Sequence, residues 1–195
     1  YACCCLSSIC LPKFVVEKDL SKSVVEIYTI DDCKYCTLAK NLMKYKHIQY
    51  TEHKVTNISD GKTYPQIFID KKCIGGYNNL KKYITPTYDF KRLEEVSGQL
   101  VRNLNKALDI NLYPVPETKY SNMKHRPLGI GVQGLADVFC MMRFPFDSKE
   151  ALELNEKIFE TMYYGAMKSS MELAKVNGPY ESFRDNHITE LQTNV

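Results

Sequence analysis

Two cysteines separated by two residues, Cys33 and Cys36, are the strongest candidates for chemistry in this chain. They follow a strand-like run at 24–29 and precede a helix-like run at 37–45. A C-x-x-C between a strand and a helix is typical of a dithiol redox site. The helix N-terminus favours a thiolate on the first cysteine, and the second thiol can then resolve the mixed disulfide. We interpret Asp32 as the N-cap of this helix.

Two structural alternatives for the same cysteines remain open. One is a zinc half-site completed by amino-terminal thiolates, for which the candidates are Cys3, Cys4, Cys5 and Cys10. Three consecutive cysteines do not easily converge on one metal, and the chain has no second C-x-x-C. We therefore predict no metal site. The other alternative is a purely structural disulfide, which reducing conditions disfavour.

Residues 25–84 resemble a glutaredoxin in three blocks that stand in the order of that family. These are the C-x-x-C, T-Y-P-Q-I-F-I at 63–69 and G-G-Y-N-N-L at 75–80. The resemblance implies a thioredoxin-like α/β fold, with a small mixed sheet and helices. It implies a cis-proline that presents the preceding backbone to a thiol substrate, and glycines that allow close approach of glutathione. The glutathione site implied in this way comprises Tyr64, Pro65, Gly75, Gly76, Tyr77 and Asn78.

Three positions depart from the glutaredoxin pattern. Ile30 stands where a basic residue often holds a glutathione carboxylate, and Asn78 and Asn79 replace acidic residues that commonly meet its amino group. Because the changes at the carboxylate contact and at the amino-group contact both remove charges, we expect weak glutathione binding. A thioredoxin-type protein is the alternative reductant.

The sequence on both sides of this stretch resembles the large subunit of class I ribonucleotide reductase. The matching blocks are Y-D-F-K-R-L-E-E-V at 88–96, H-R-P-L-G-I-G-V-Q-G-L-A-D at 125–137 and P-F-D-S at 145–148. Residues 2–15 resemble the strand just upstream in the same subunit. The simplest account is a glutaredoxin inserted into a surface loop of the reductase. The predicted divisions are a reductase strand segment at 1–17, the insert at 18–87, and a mainly α-helical part of the reductase α/β barrel at 88–195.

The reductase family uses a pair of redox cysteines beneath its substrate, and the resemblance places one of them at Cys4. On a strand, Cys3 and Cys5 would then point to the opposite face. The partner thiol and the radical cysteine belong to segments outside these residues, so we expect a fragment of a longer enzyme. The resemblance implies ribonucleoside-diphosphate reduction, with a small subunit, further large-subunit copies and a ribonucleotide as partners. A non-catalytic docking adaptor and a zinc-binding structural module are the alternatives for the insert.

Composition excludes several other classes of function. The chain is 44% hydrophobic and 25% charged, which is ordinary for a soluble domain. A net charge of +3 is too small to indicate nucleic acid or an anionic membrane as a partner. No apolar run is long enough to span a bilayer, and no secretory signal is evident, so we expect a cytoplasmic protein.

Helical periodicity predicts a long helix from residue 89 and further helices at 135–142 and 149–176. G-x-G-x-x-G at 129–134 does not predict a dinucleotide site, because the downstream stretch that should form a second strand is helix-like. We predict that the 1–11 segment is buried and that 18–23 is a polar linker. Four residues on the last helix are predicted to belong to the core: Phe159, Tyr163, Tyr164 and Met167.

Overall fold

The computed structural model describes residues 3, 5–56 and 61–185, and the chain divides into two compact units. We call Val16–Thr87 the central unit. The terminal unit combines the segment that ends at Val15 with the segment that begins at Tyr88. The short strands β2 (Val15–Val16) and β7 (Thr87–Tyr88) form a two-stranded sheet.

The central unit is built on a four-stranded mixed sheet. Its strands are β3 (Val25–Thr29), β4 (Thr51–Lys54), β5 (Gln66–Ile69) and β6 (Lys72–Gly75). Their spatial order is β4-β3-β5-β6, with β4 parallel to β3 and with antiparallel pairing of β3 with β5 and of β5 with β6. Two helices, α1 (Lys34–Tyr45) and α2 (Tyr77–Ile84), complete the unit.

One face of this sheet forms a core with both helices. Side chains alternate between the two faces of a strand, so every second residue of β3 and β5 points into this core. The buried residues of the sheet are Val25, Ile27, Ile67 and Ile69, and those of the helices are Ala39, Met43, Leu80 and Ile84. This packing fixes the start of α1, and therefore the C-x-x-C, against the end of β3.

The segment expected to be a linker packs against the central unit instead. Leu20 is only 8% exposed, and the Lys18 ammonium lies 3.4 Å from the centre of the Tyr83 ring. The prediction of a linker at 18–23 is therefore wrong. Polar residues dominate this segment, but one buried leucine and one cation–π contact are enough to order it.

Among its described residues, the terminal unit combines a two-stranded parallel ladder with four α-helices. Strand β1 (Cys5–Cys10) pairs with β8 (Leu128–Gln133) from Cys5 opposite Leu128 onward. The helices are α3 (Phe90–Ile110), α4 (Pro116–His125), α5 (Leu135–Met142) and α6 (Lys149–Asn177). Their core includes Ile9 and Leu11 from the amino-terminal segment, together with Leu93, Val138 and Ile158 from the helices.

Helix α4 has no counterpart in the sequence predictions. Pro114 and Pro116 are typical of the end of a helix such as α3, yet Pro116 occupies the first turn of a new helix. Proline is favoured at that position because its missing N–H would have no partner there. The helix ends at Arg126, which takes a left-handed conformation with a φ of 44°.

The apolar stripe on α6 that was predicted to be core is exposed. The exposed fractions are 44% for Phe159, 69% for Tyr163, 56% for Tyr164 and 51% for Met167. The buried stripe of α6 is instead Leu154, Ile158, Met162, Gly165 and Ser169. Both apolar stripes of α6 recur with the period of a helix. Periodicity alone therefore could not show which stripe is buried. Tyr163, Tyr164 and Met167 of the exposed stripe line an open groove of about 630 Å³ against α3.

The amino-terminal segment is buried on one face only. Ile9 is 3% exposed, whereas Leu6 is 75% exposed and Cys10 is also exposed. The prediction that this segment is buried throughout is therefore wrong for alternate residues of β1. A strand in a two-stranded ladder is covered on one side by the helices, while its other side carries the opposite set of side chains.

Candidate dithiol site

The C-x-x-C occupies the turn between β3 and α1. Cys33 is the N-cap of α1, and its Sγ accepts a hydrogen bond of 3.1 Å from the backbone N–H of Cys36. The prediction that Asp32 is the N-cap is wrong. Asp32 is exposed and has a φ of 54°, so it forms the turn that leads to the cap. The hydrogen-bond donors of the helix N-terminus therefore face the Cys33 sulfur directly.

Cys33 and Cys36 are joined by a disulfide, and their Cα atoms lie 5.2 Å apart. Cys33 is half-buried, whereas Cys36 is 3% exposed and lies on the inner side of the first helical turn. The two sulfurs thus differ in access to a substrate. In the reduced form, an accessible thiolate at Cys33 would be backed by a second thiol within bonding reach.

The Tyr64–Pro65 segment lies beside Cys33. The peptide bond between these residues is cis, as the resemblance implied, and Pro65 is buried. The Tyr64 carbonyl oxygen lies 3.8 Å from the Cys33 Sγ. Backbone groups at this position can pair with an extended substrate while its sulfur meets Cys33.

The turn from β6 into α2 forms the other side of the site. Gly75 has a φ of 99°, which L side chains rarely adopt, and the Asn79 side-chain amide occupies the place where a Cβ would stand. A Cβ on Gly76 would lie 3.4 Å from the Pro65 carbonyl oxygen, so this turn runs close to the cis-proline. The two glycines thus permit close approach of the backbone segments.

Two tyrosine rings, one at the start of α1 and one at the start of α2, lie near each other. Tyr35, between the two cysteines, is 54% exposed, and its ring centre lies 6.2 Å from that of Tyr77 at the start of α2. Asn78 is exposed on the next position of α2. The sequence predictions included Tyr77 and Asn78 but missed Tyr35. Its place within the C-x-x-C, next to a helix cap, was the signal that could have found it.

Few charges surround the site. The Lys54 ammonium donates a hydrogen bond of 2.8 Å to Asp31, and this bond lowers the pKa of the Asp31 carboxyl. Ile30 is half-buried and Asn79 is exposed. Because both side chains are neutral, neither position offers a charge to a ligand. Lys34 is exposed beside Cys33 and is the nearest basic residue in sequence.

Cys4, the predicted redox cysteine of the terminal unit, lies outside the described residues. Its neighbours Cys3 and Cys5 are described, and both are half-buried. The Cys3 backbone N–H donates a hydrogen bond of 3.3 Å to Oδ1 of Asn122. Asn122 was also missed by sequence reasoning, because α4 itself was not predicted.

Neither a cluster of metal-ligating side chains nor a membrane-spanning helix occurs among the described residues. Within 3, 5–56 and 61–185, no group of three or more His, Cys, Asp or Glu side chains is placed to hold a metal ion. None of the helices described here is long and apolar enough to cross a membrane.

The family model for the ribonucleotide reductase barrel domain matches residues 1–194. The chain belongs to the ribonucleotide reductase family. This match confirms the family predicted from the sequence on both sides of the central unit. The segments that position Cys3, Cys5 and Asn122 are therefore parts of a reductase barrel domain.

Individual reductase large subunits are similar to parts of this chain. The ribonucleoside-diphosphate reductase large subunit of Caenorhabditis elegans is 52% identical over 115 residues, or 58% of this chain and 15% of that protein. The Variola virus large subunit is 58% identical over 96 residues, covering 49% of this chain and 12% of that protein. The Danio rerio large subunit is 57% identical over 106 residues, covering 53% of this chain and 13% of that protein. This chain thus spans at most 15% of the length of these relatives.

One solved structure is also similar to part of the chain. It is the crystal structure of glutaredoxin 1 from Francisella tularensis complexed with cacodylate, which is 32% identical. The match covers 31% of this chain and 90% of that protein, with a TM-score of 0.28.

Proposed function

We propose that this chain is part of a ribonucleoside-diphosphate reductase large subunit and that its central unit is an inserted glutaredoxin, which supplies electrons to the reductase. The observation that carries the proposal is the Cys33–Cys36 disulfide at the N-terminus of α1, beside the Tyr64 carbonyl, in a chain of the reductase family. The division of the chain into two compact units supports the insertion, because each unit has its own core.

The proposed reaction is a thiol–disulfide exchange in two steps. The Cys33 thiolate attacks one sulfur of a substrate disulfide, that disulfide breaks, and the other substrate sulfur leaves as a thiolate and takes a proton. Cys36 then loses its proton and attacks the Cys33 sulfur, which releases the second substrate thiol. The product is the Cys33–Cys36 disulfide, so two electrons have moved from the central unit to the substrate.

The disulfide to be reduced is the one that each ribonucleotide turnover forms on the pair that includes Cys4, reached directly or through another dithiol of the full-length protein. Reduction of the central unit then requires an external thiol, either glutathione or a thioredoxin-type protein. Glutathione would lie along Tyr64, Pro65, Gly75, Gly76, Tyr77 and Asn78. Tethering donor and acceptor in one chain raises their effective concentration.

The full-length protein would act with a small subunit, with further copies of the large subunit and with a ribonucleotide substrate. A reducing compartment such as the cytoplasm suits the dithiol. Two other functions for the central unit compete with electron transfer. An adaptor that only docks a partner would not need the thiols, and a zinc module would need them as metal ligands.

Reduction of a small disulfide by this chain tests the proposal. We expect the wild-type chain to reduce bis(2-hydroxyethyl) disulfide with glutathione and glutathione reductase, and Cys33→Ser to abolish the activity. Cys36→Ser should accumulate a mixed disulfide on Cys33, seen as an added mass. Cys73→Ser is the matched control, since Cys73 is an exposed free cysteine of the same unit. Equal activity of wild type and Cys33→Ser would favour an adaptor, and stoichiometric zinc bound by wild type but not by Cys33→Ser would favour the metal module.

A further inference from the structure

The side chain of Asn122 is fully buried in the terminal unit and is only partly hydrogen-bonded. Its exposed fraction is 0%, its Oδ1 accepts the Cys3 N–H, and its Nδ2 has no hydrogen-bond partner among the residues that the structure describes. Burying an amide costs free energy unless its groups are paired, so a buried asparagine with a spare donor calls for an explanation.

The backbone of Asn122 is held in place by hydrogen bonds at the end of α4. Its carbonyl accepts the backbone N–H of Arg126, 2.9 Å away, at the left-handed end of α4. The Arg126 guanidinium in turn donates to Oδ1 of Asn105 at 2.6 Å, to the Asn105 carbonyl at 2.8 Å and to Asp109 at 2.8 Å. The end of α4 is thereby fixed to α3, which holds the backbone that carries the Asn122 side chain.

The Asn122 side chain accepts its hydrogen bond from the backbone of Cys3, the residue directly before Cys4. On the other side of Cys4, Cys5 is held in the ladder opposite Leu128. Both chain neighbours of the candidate redox cysteine are therefore fixed, one by the β8 backbone and one by a side chain. Of the two anchors, only the Asn122 amide can be removed by a single substitution of a side chain.

We propose that Asn122 is a positioning residue for the redox cysteine pair of the reductase: its amide oxygen anchors the backbone of Cys3, the chain neighbour of Cys4. The inference rests on the proposed role of Cys4. A neutral amide suits the position, because a carboxylate at the same place would be a buried and unpaired negative charge.

The test uses Asn122→Leu and Asn122→Asp in the full-length large subunit. Leucine has a similar size and removes the acceptor. Aspartate keeps an acceptor, and because burial raises the pKa of a carboxyl, the new side chain should be neutral at low pH and charged at high pH. Asn111→Asp, at the exposed end of α3, is the matched control. Circular dichroism at each pH confirms that a variant is folded before it is assayed.

Two readouts are measured: turnover, and the thiol–disulfide equilibrium constant of the pair that contains Cys4, obtained by alkylation in redox buffers and mass spectrometry. We expect Asn122→Leu to change this constant by about three- to tenfold, as for the loss of one buried hydrogen bond, and to lower kcat with little change in KM. Both readouts of Asn122→Asp should match those of wild type at low pH and depart from them as pH rises. The equilibrium constant of Cys33–Cys36 serves as an internal reference and should not change.

The outcomes separate this inference from the proposed function. If Asn122→Leu folds and leaves both readouts unchanged, or if Asn122→Asp shows the pH profile of wild type, the positioning role is wrong. If instead Cys4→Ser retains full turnover, the proposed role of Cys4 is wrong, and with it the functional importance of the contact.

Discussion

At the scale of single residues, the structure gives Cys33 and Cys36 different environments. Cys33 receives the N–H of Cys36 and is half-buried, whereas Cys36 is 3% exposed. A thiolate is stabilised by nearby N–H donors and reacts only where a reagent can reach it. We therefore expect iodoacetamide at neutral pH to label Cys33 first in the reduced chain, as read by peptide mass spectrometry. Faster labelling of Cys36 would reverse the assignment of attacking and resolving thiols.

The neutral residues around the dithiol lead to a second prediction at this scale. Ile30→Lys with Asn79→Asp should restore charged contacts to glutathione and lower its apparent KM in the disulfide assay. Each contact is exposed to solvent, so we expect the pair to change KM by about three- to tenfold, where tenfold corresponds to 1.4 kcal/mol.

The matched control for this double variant carries the same two charges away from the site. Asn41→Asp with Gln49→Lys places them at exposed positions of the central unit outside the dithiol site. An unchanged KM in the Ile30→Lys, Asn79→Asp variant would show that these positions do not meet glutathione, and a thioredoxin-type reductant would then be favoured.

At the scale of elements, the crossing of α3 and α6 depends on small residues. A Cβ on Gly165 would lie 2.5 Å from the Glu94 carbonyl oxygen, and a backbone oxygen cannot rotate away as a side chain can. We expect Gly165→Ala to separate the helices and to lower the free energy of unfolding of the terminal unit by about 1–3 kcal/mol. Ser170→Ala, at an exposed position of α6, is the control. Urea denaturation followed by circular dichroism measures the change, and equal midpoints for the two variants would argue against close packing.

Elements with a strong local signal could be predicted from sequence, and those set by context could not. Leu135–Met142 was predicted with its bounds, because one periodic apolar run is flanked by glycine and proline. Helix α4 was missed because its proline signals either an end or a first turn. The core face of α6 was assigned to Tyr163 and Tyr164 because periodicity does not show which of two stripes meets α3.

The same distinction holds in the candidate site. The cis bond at Pro65 and the close turn at Gly75 were implied by the glutaredoxin resemblance. Cys33 caps α1, and Asp32 before it takes a left-handed backbone conformation. That conformation could not be predicted from the residue types. Asn122 joins segments 119 positions apart in the chain, so no local pattern could have indicated its contact with Cys3.

At the scale of the whole molecule, the chain combines a dithiol unit with part of a reductase barrel domain. It spans at most 15% of the length of the three reductase relatives described above. We therefore expect this chain to reduce a small disulfide but to form no deoxynucleotide when mixed with a radical-generating small subunit. Product analysis by liquid chromatography checks this, with a full-length large subunit as the positive control. Deoxynucleotide formation by this chain would contradict the expectation that ribonucleotide reduction needs the rest of the large subunit.

The central claim is that the dithiol of the central unit delivers electrons to the reductase site of the same protein. The most direct measurement is turnover of the full-length large subunit with its small subunit, driven either by glutathione with glutathione reductase or by dithiothreitol. Dithiothreitol, a small dithiol, can reduce the reductase pair without the central unit. We expect Cys33→Ser to lose turnover with glutathione and to keep it with dithiothreitol, while wild type uses both. Equal glutathione-driven turnover of wild type and Cys33→Ser would contradict the claim.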